Sequence, residues 1–222
     1  MLVAIKSFEQ REERNLYLRT ESLLSCAGLM GYEKVYGFDI GNMNVLAQME
    51  DVLWEDLIQS GMLEQSSEES GYRVSDLGQM ILSMVCKPDA MVSIRNSIRG
   101  INRNVYIYHF YFLYIDEADG ALSIDFLPNL EMSIGAYSRA LEGIDEMKES
   151  EGDSDAMNGD REVTVFCESG DCFYNLVFKN SAIAEYSTEN TSGQVELSEE
   201  DCTNEITGWI LKRLKETEAQ DE

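Results

Sequence analysis

Between Val105 and Ile115 the chain runs VYIYHFYFLYI, a stretch with no acidic residue, no lysine and no arginine. In an extended backbone Tyr106, Tyr108, Phe110, Phe112 and Tyr114 project to one side. Val105, Ile107, His109, Tyr111 and Leu113 project to the other. A strand that is apolar on both faces has to be covered on both, which places it at the centre of a sheet. The stretch is far too short for a membrane-spanning helix. Asp116-Glu117-Ala118-Asp119-Gly120 then reads as the turn of a hairpin returning as Ala121 to Phe126.

Before this point the apolar period is helical. Thr20 and Glu21 open a short helix through Leu23, Leu24, Ala27 and Leu29 that ends in Gly28 to Gly31. Asn44 is the N-cap candidate for a second, with Leu46, Met49, Leu53 and Leu57 on one face and Gly61 at its end. Glu64 to Gly71 is polar and turn-like, and Tyr72-Arg73-Val74 is a short strand. Ser75 caps a third helix through Leu77, Met80, Ile81, Met84 and Val85, stopped by Pro88.

After the hairpin the apolar spacing of Ile134, Tyr137, Leu141 and Ile144 predicts a helix over Ser133 to Met147. Glu149 to Asp160 is acidic, contains Gly and Ser, lacks aromatics, and reads as a linker. A second hairpin follows over Glu162 to Phe178, then a strand at Ala182 to Tyr186. The last helix starts at Ser198 and Asp201 in a capping-box pattern. Its apolar stripe is Ile206, Trp209, Ile210 and Leu214, and Lys212, Arg213 and Lys215 suit its negative end. A hairpin followed by a helix thus occurs twice. The expected architecture is α+β: a central antiparallel sheet flanked by two helical groups in pseudo-twofold arrangement. The halves are 1–148 and 161–222, joined by 149–160 and sharing one sheet.

Charge narrows the function. With 42 acidic residues against 17 basic ones the formal charge is −25, which opposes binding to nucleic acid and to anionic membranes. It suits a basic partner or a soluble carrier. The N-terminus carries no secretory pattern, since Lys6, Glu9, Arg11 and Glu12 follow the opening apolar residues. The five cysteines are scattered and odd in number, as expected of reduced thiols in a cytoplasm.

The search for chemistry is empty. His109 has no second histidine with which to hold a metal and is read as structural. Cys167 and Cys172 flank a four-residue turn and would face each other in a regular hairpin, yet C-x4-C is neither a redox nor a zinc spacing. Asp153 to Asp160 fails as a calcium loop, because Asn158 stands at the glycine position and Thr164 at the closing glutamate. The aromatic row could stack bases, but only Arg95, Arg99 and Arg103 are near. No phosphate loop, nucleophile elbow or zinc motif is present. No enzyme, cofactor or metal is expected.

Leu57-Ile58-Gln59-Ser60-Gly61-Met62-Leu63 followed by Tyr72-Arg73-Val74-Ser75-Asp76-Leu77 resembles the helix–wing–helix run of winged-helix regulators. No lysine or arginine occurs from Val35 to Tyr72. Glu50, Asp51, Glu55 and Asp56 would face DNA there and repel it. The outline therefore points to protein binding. The order of elements also resembles the EspG-type cytoplasmic chaperones of type VII (ESX) secretion systems. The resemblance lies in Leu18 to Leu29, in the helix from Leu53 into Gly61-Met62-Leu63, and in the helix from Leu77 running into Cys86-Lys87-Pro88-Asp89-Ala90-Met91-Val92. It implies a central antiparallel sheet with two helical groups in pseudo-twofold relation. It also implies capture of a helical secreted protein, encoded nearby, whose apolar tip is kept soluble for export. Its substrate contacts would fall on the hairpin residues Asp116, Glu117 and Asp119 and on the C-terminal helix at Trp209, Ile210 and Leu214. The charge alone supports a second reading, an acidic immunity protein that neutralises a basic toxin.

Overall fold

The structure is a computed structural model that describes residues 16–38, 51–66, 71–96, 101–109, 111–127, 161–167, 172–178, 183–188 and 192–220. It is a mixed α+β chain that condenses into two compact units. The first comprises Met1–Pro88 and Glu117–Phe126, the second Asp89–Asp116 and Leu127–Glu222. The helix expected over 133–147, the acidic segment 149–160 and the cap at Asn44 lie outside the described residues.

In the first unit β1 (Leu16–Arg19) leads directly into α1 (Thr20–Leu29). β1 pairs antiparallel with β7 (Ala121–Leu127), setting Leu16 opposite Ile124 and Leu18 opposite Leu122. All four of those side chains are buried, and Tyr17 faces out. The alternation is regular, but four residues are too few to announce a strand against the helical period that follows. α2 (Asp51–Gln59) ends where Gly61 takes a left-handed φ of 78° and returns its N–H to the Ile58 carbonyl. The chain then forms a small antiparallel wing, β2 (Leu63–Gln65) against β3 (Tyr72–Val74), with Glu64 opposite Arg73.

α3 (Asp76–Cys86) begins as its sequence predicts. The Ser75 hydroxyl accepts the Gly78 N–H at 3.0 Å and donates to the Gly61 carbonyl at 2.6 Å. That one side chain ties the start of α3 to the end of α2. Gly78 is required by space rather than by φ. A Cβ there would strike the Met62 carbonyl and come within 2.8 Å of Val74 Cγ1, so α3 can seat this closely on the wing only without a side chain.

The second unit is built on antiparallel strands. Its sheet order is β6 (Tyr111–Ala118), β5 (Ile101–Tyr108), β4 (Ala90–Asn96), β8 (Arg161–Cys167), β9 (Cys172–Phe178), β10 (Ile183–Thr188), β11 (Ser192–Glu196). The last two residues of β6 are assigned to the first unit. β4 is flanked by β5 and β8 and is buried along most of its length, including Met91, Val92 and Ile94. α4 (Glu199–Gln220) packs on β4 and buries Cys202, Ile206 and Ile210. The expected capping box is present: the Ser198 hydroxyl accepts the Asp201 N–H at 3.1 Å, and the Asp201 carboxylate accepts the Ser198 N–H at 3.3 Å.

The aromatic stretch corrects the sequence reading. It is not one strand from Val105 to Ile115 but two, β5 and β6, broken at His109. His109 has φ 46°, and the Asp89 carboxylate accepts its N–H at 2.7 Å. The Asp89 N–H in turn donates to the Ile107 carbonyl at 2.9 Å. An apolar run buried on both faces carries no phase marker, and His-Phe lacks the Gly, Asn or Pro that signals a turn. The reversal is set by a carboxylate twenty residues earlier in the chain. The second hairpin differs in register. A bulge between Val165 and Phe166 places Phe166, not Cys167, opposite Cys172.

Candidate protein-binding surface

The six residues expected to carry substrate contacts are placed as follows. Asp119 (φ 52°) and Gly120 (φ 75°) make the two-residue link from β6 to β7. Paired left-handed residues are the type I′ geometry that Asp-Gly favours. Asp116 accepts from Arg103 Nε and from the Tyr114 hydroxyl, each at 3.1 Å. Glu117 accepts from the Thr20 hydroxyl at 3.0 Å. Those two carboxylates therefore help hold the fold in place. Ile210 is 1 % exposed and belongs to the core. Trp209 and Leu214 lie on α4, and their side chains are outside the described residues.

A different surface emerges in the first unit. Asp51, Val52, Glu55 and Gln59 of α2 are exposed, and of its apolar residues only Leu57 is fully buried. Trp54 meets Tyr72 of the wing with ring centroids 6.5 Å apart, an ordinary separation for an aromatic pair. Tyr72 is 54 % exposed and Val52 45 %. On α3 the exposed positions are Asp76 and Gln79. The helix–wing–helix unit thus presents carboxylates and uncovered apolar side chains where a DNA reader presents cations.

The first unit's described cations are Arg19, Lys34, Arg73 and Lys87. Arg73 pairs with Glu64 across the wing. Lys34 sits over the Tyr36 ring at 4.3 Å and Lys87 over Tyr32 at 5.5 Å. Those two lysines and two tyrosines, with Met30 and Glu33, line an open cleft of about 420 Å³. It is a local exception to the acidic surface, and Glu33 offsets part of its charge.

The second unit carries a feature visible only in the register. Asn104 of β5 lies opposite Ser93 of β4, and Ser93 opposite Thr164 of β8. The line continues through Asn175, Ser187 and Ser192. Six small polar residues therefore cross the sheet in one row. Asn104 is fully buried, and neither its side-chain oxygen nor its nitrogen has a hydrogen-bond partner. Sequence reading had no means of finding it, because the six residues come from six strands.

The Cys26, Cys86 and Cys202 thiols are free and buried. Burial pushes them up to about 11, 12 and 12, and Cys26 adds to the rise at Cys86. Such thiols are inert as nucleophiles at neutral pH. His109 is about half exposed, with Nδ1 4.0 Å from the Asp89 carboxylate. No group of three or more His, Cys, Asp or Glu placed to hold a metal occurs among the described residues. Among the same residues, no helix is long and apolar enough to cross a membrane. Compared with known proteins, the sequence matches no protein-family model and no curated protein sequence.

Proposed function

We propose that this protein is a non-enzymatic cytoplasmic chaperone or adaptor. It binds a helical secretion substrate of a type VII-like system and keeps that substrate soluble for export. The observation that carries the protein-binding part is the helix–wing–helix unit, whose exposed α2 and α3 positions hold Asp51, Glu55 and Asp76 and no cation. That surface is repulsive to a phosphate backbone and leaves Val52 and Tyr72 uncovered. The secretion part rests on the resemblance to the EspG-type chaperones; the pseudo-twofold arrangement of helical groups and the sharing of one sheet rest on the hairpin-then-helix order that occurs twice in the sequence and on the same resemblance. The test is co-expression with the proteins encoded beside it. A stable complex with a helical neighbour, of standard interface size or larger, supports the reading. Separate elution of every neighbour overturns it.

The net charge of −25 favours one second reading, an acidic immunity protein against a basic toxin. Salt separates the two. Association with a toxin through complementary charge slows steeply as ionic strength rises, whereas apolar capture of a helix does not.

A further inference from the structure

The geometry points to the cleft at Lys34 and Lys87 as a carboxylate site. It takes an acidic side chain of an extended peptide, held between the two ammonium groups, with a neighbouring apolar residue of the peptide against Met30. The site is separate from the helix–wing–helix surface above and does not depend on the export reading.

Three observations carry it. First, both cations are uncommitted in a chain of 42 acidic residues. Among the described residues, neither the Lys34 nor the Lys87 ammonium has an ion pair or a hydrogen bond. Arg73 and Arg103, by contrast, are each paired with a carboxylate. Glu33 lines the same cleft but pairs with neither lysine. The Tyr36 and Tyr32 rings hold the lysines at 4.3 and 5.5 Å without cancelling their charge.

Second, the helix ends beside the cleft do not consume these charges. A lysine near a helix C-terminus commonly bonds the last carbonyls, but here backbone N–H groups take that role. Met30, Gly31 and Tyr32 donate to the Cys26, Gly28 and Ala27 carbonyls of α1 at 3.2, 3.0 and 3.0 Å. The Tyr36 N–H donates to the Val85 carbonyl of α3 at 2.9 Å. Third, the cleft has an apolar part. Met30 lines it and is 46 % exposed, next to the half-buried Tyr32. A carboxylate offers one oxygen to each ammonium. Phosphate sites are commonly cradled by backbone N–H groups, and those of residues 30–32 and 36 already serve the helices. The cleft is open, which suits a passing peptide chain better than a small molecule that needs enclosure.

The test uses the full chain and two peptides with capped ends and a neutral fluorophore, one centred on Leu-Glu-Leu and the other on Leu-Gln-Leu. Binding is read by fluorescence anisotropy at about 0.15 M ionic strength. The net charge of −25 works against the glutamate peptide, so a preference for it has to come from a local site. The glutamate peptide is expected to bind at least about tenfold more tightly than the glutamine one. The double variant Lys34→Met/Lys87→Met alters two exposed side chains and keeps its fold by circular dichroism. It should lose that preference. Lys212→Met/Lys215→Met removes the same charge from exposed positions on α4 and should retain it. Absence of binding, or equal binding of the two peptides, overturns the proposal. Equal loss in the two double variants would show a long-range effect of net charge and overturns it as well. Displacement of the glutamate peptide by hexanoate or inorganic phosphate at the peptide's own concentration assigns the cleft to a small anion and overturns the peptide.

Discussion

The Asp56 carboxylate of α2 accepts the backbone N–H of Arg19 at 2.8 Å, at the point where β1 turns into α1. The same oxygen accepts the Ser22 hydroxyl. α1 has no side-chain cap of its own at Arg19, so a residue 37 positions later satisfies one of its orphan donors. Asp56→Ala should therefore cost about 1–2 kcal/mol by urea denaturation. Glu55→Ala, one residue away and exposed, should change stability by less than about 0.5 kcal/mol. Equal effects from the two would mean that the contact does not cap the helix.

Gly78→Ala tests the seat of α3 on the wing. In an exposed helix the change would stabilise by up to about 1 kcal/mol. Here the new methyl meets the Met62 carbonyl and Val74, and overpacking of this kind costs about 1–3 kcal/mol. A lowered unfolding midpoint is expected, and a raised one would show that the wing can give way.

The break in the aromatic stretch can be tested at His109. Its φ of 46° costs a non-glycine residue about 1 kcal/mol. His109→Gly should raise stability by up to that amount, and His109→Val should lower it by more. Asp89→Ala should also destabilise, because the His109 N–H loses its acceptor. Were β5 and β6 a single strand instead, glycine would weaken it.

Asn104 is buried with its amide unpaired, a cost of about 1–3 kcal/mol carried by the folded state. Asn104→Leu, of similar shape and apolar, should stabilise the chain by about 1 kcal/mol in thermal or chemical denaturation. A loss of stability instead would show that the amide is satisfied in solution, for example by a buried water.

The three buried thiols give a pH dependence with a fixed sign. Their folded values lie above the ordinary value of 9.0, at about 11 to 12. The unfolded chain thus ionises first as pH rises, and the folded form is disfavoured from about pH 9 upward. Below pH 9 these groups contribute no pH dependence. Site-resolved mass spectrometry after alkylation at pH 8 should find Cys26, Cys86 and Cys202 unmodified in the native protein and modified in urea. Rapid native labelling of any of them would contradict its burial.

The sequence by itself determined the local elements that carry their own signals. The Ser75 cap, the Gly61 stop, the Tyr72–Val74 wing strand and the Ser198/Asp201 box each depend on residues a few positions apart, as does the hairpin reversal expected over Asp116 to Gly120, which the structure narrows to Asp119-Gly120 because the strand runs on through Ala118. The expectation against a nucleic-acid reader also draws on the chain alone, since no lysine or arginine occurs from Val35 to Tyr72. Tertiary structure decided what depends on distant partners. Asp89 breaks the aromatic stretch at His109, and strand pairing lines up Asn104 with Ser93 and Thr164. Asp56 turns from an expected outward acid into the cap of α1. Packing also decides which acids are engaged and which face outward: Asp116 and Glu117 are held by Arg103 and Thr20, whereas Asp51 and Glu55 remain at the surface beside Val52. The physical reason is common to all of these. Periodicity and capping are set within one or two turns of backbone, but hydrogen bonds and burial are settled by whichever segments the sheet and helices bring together.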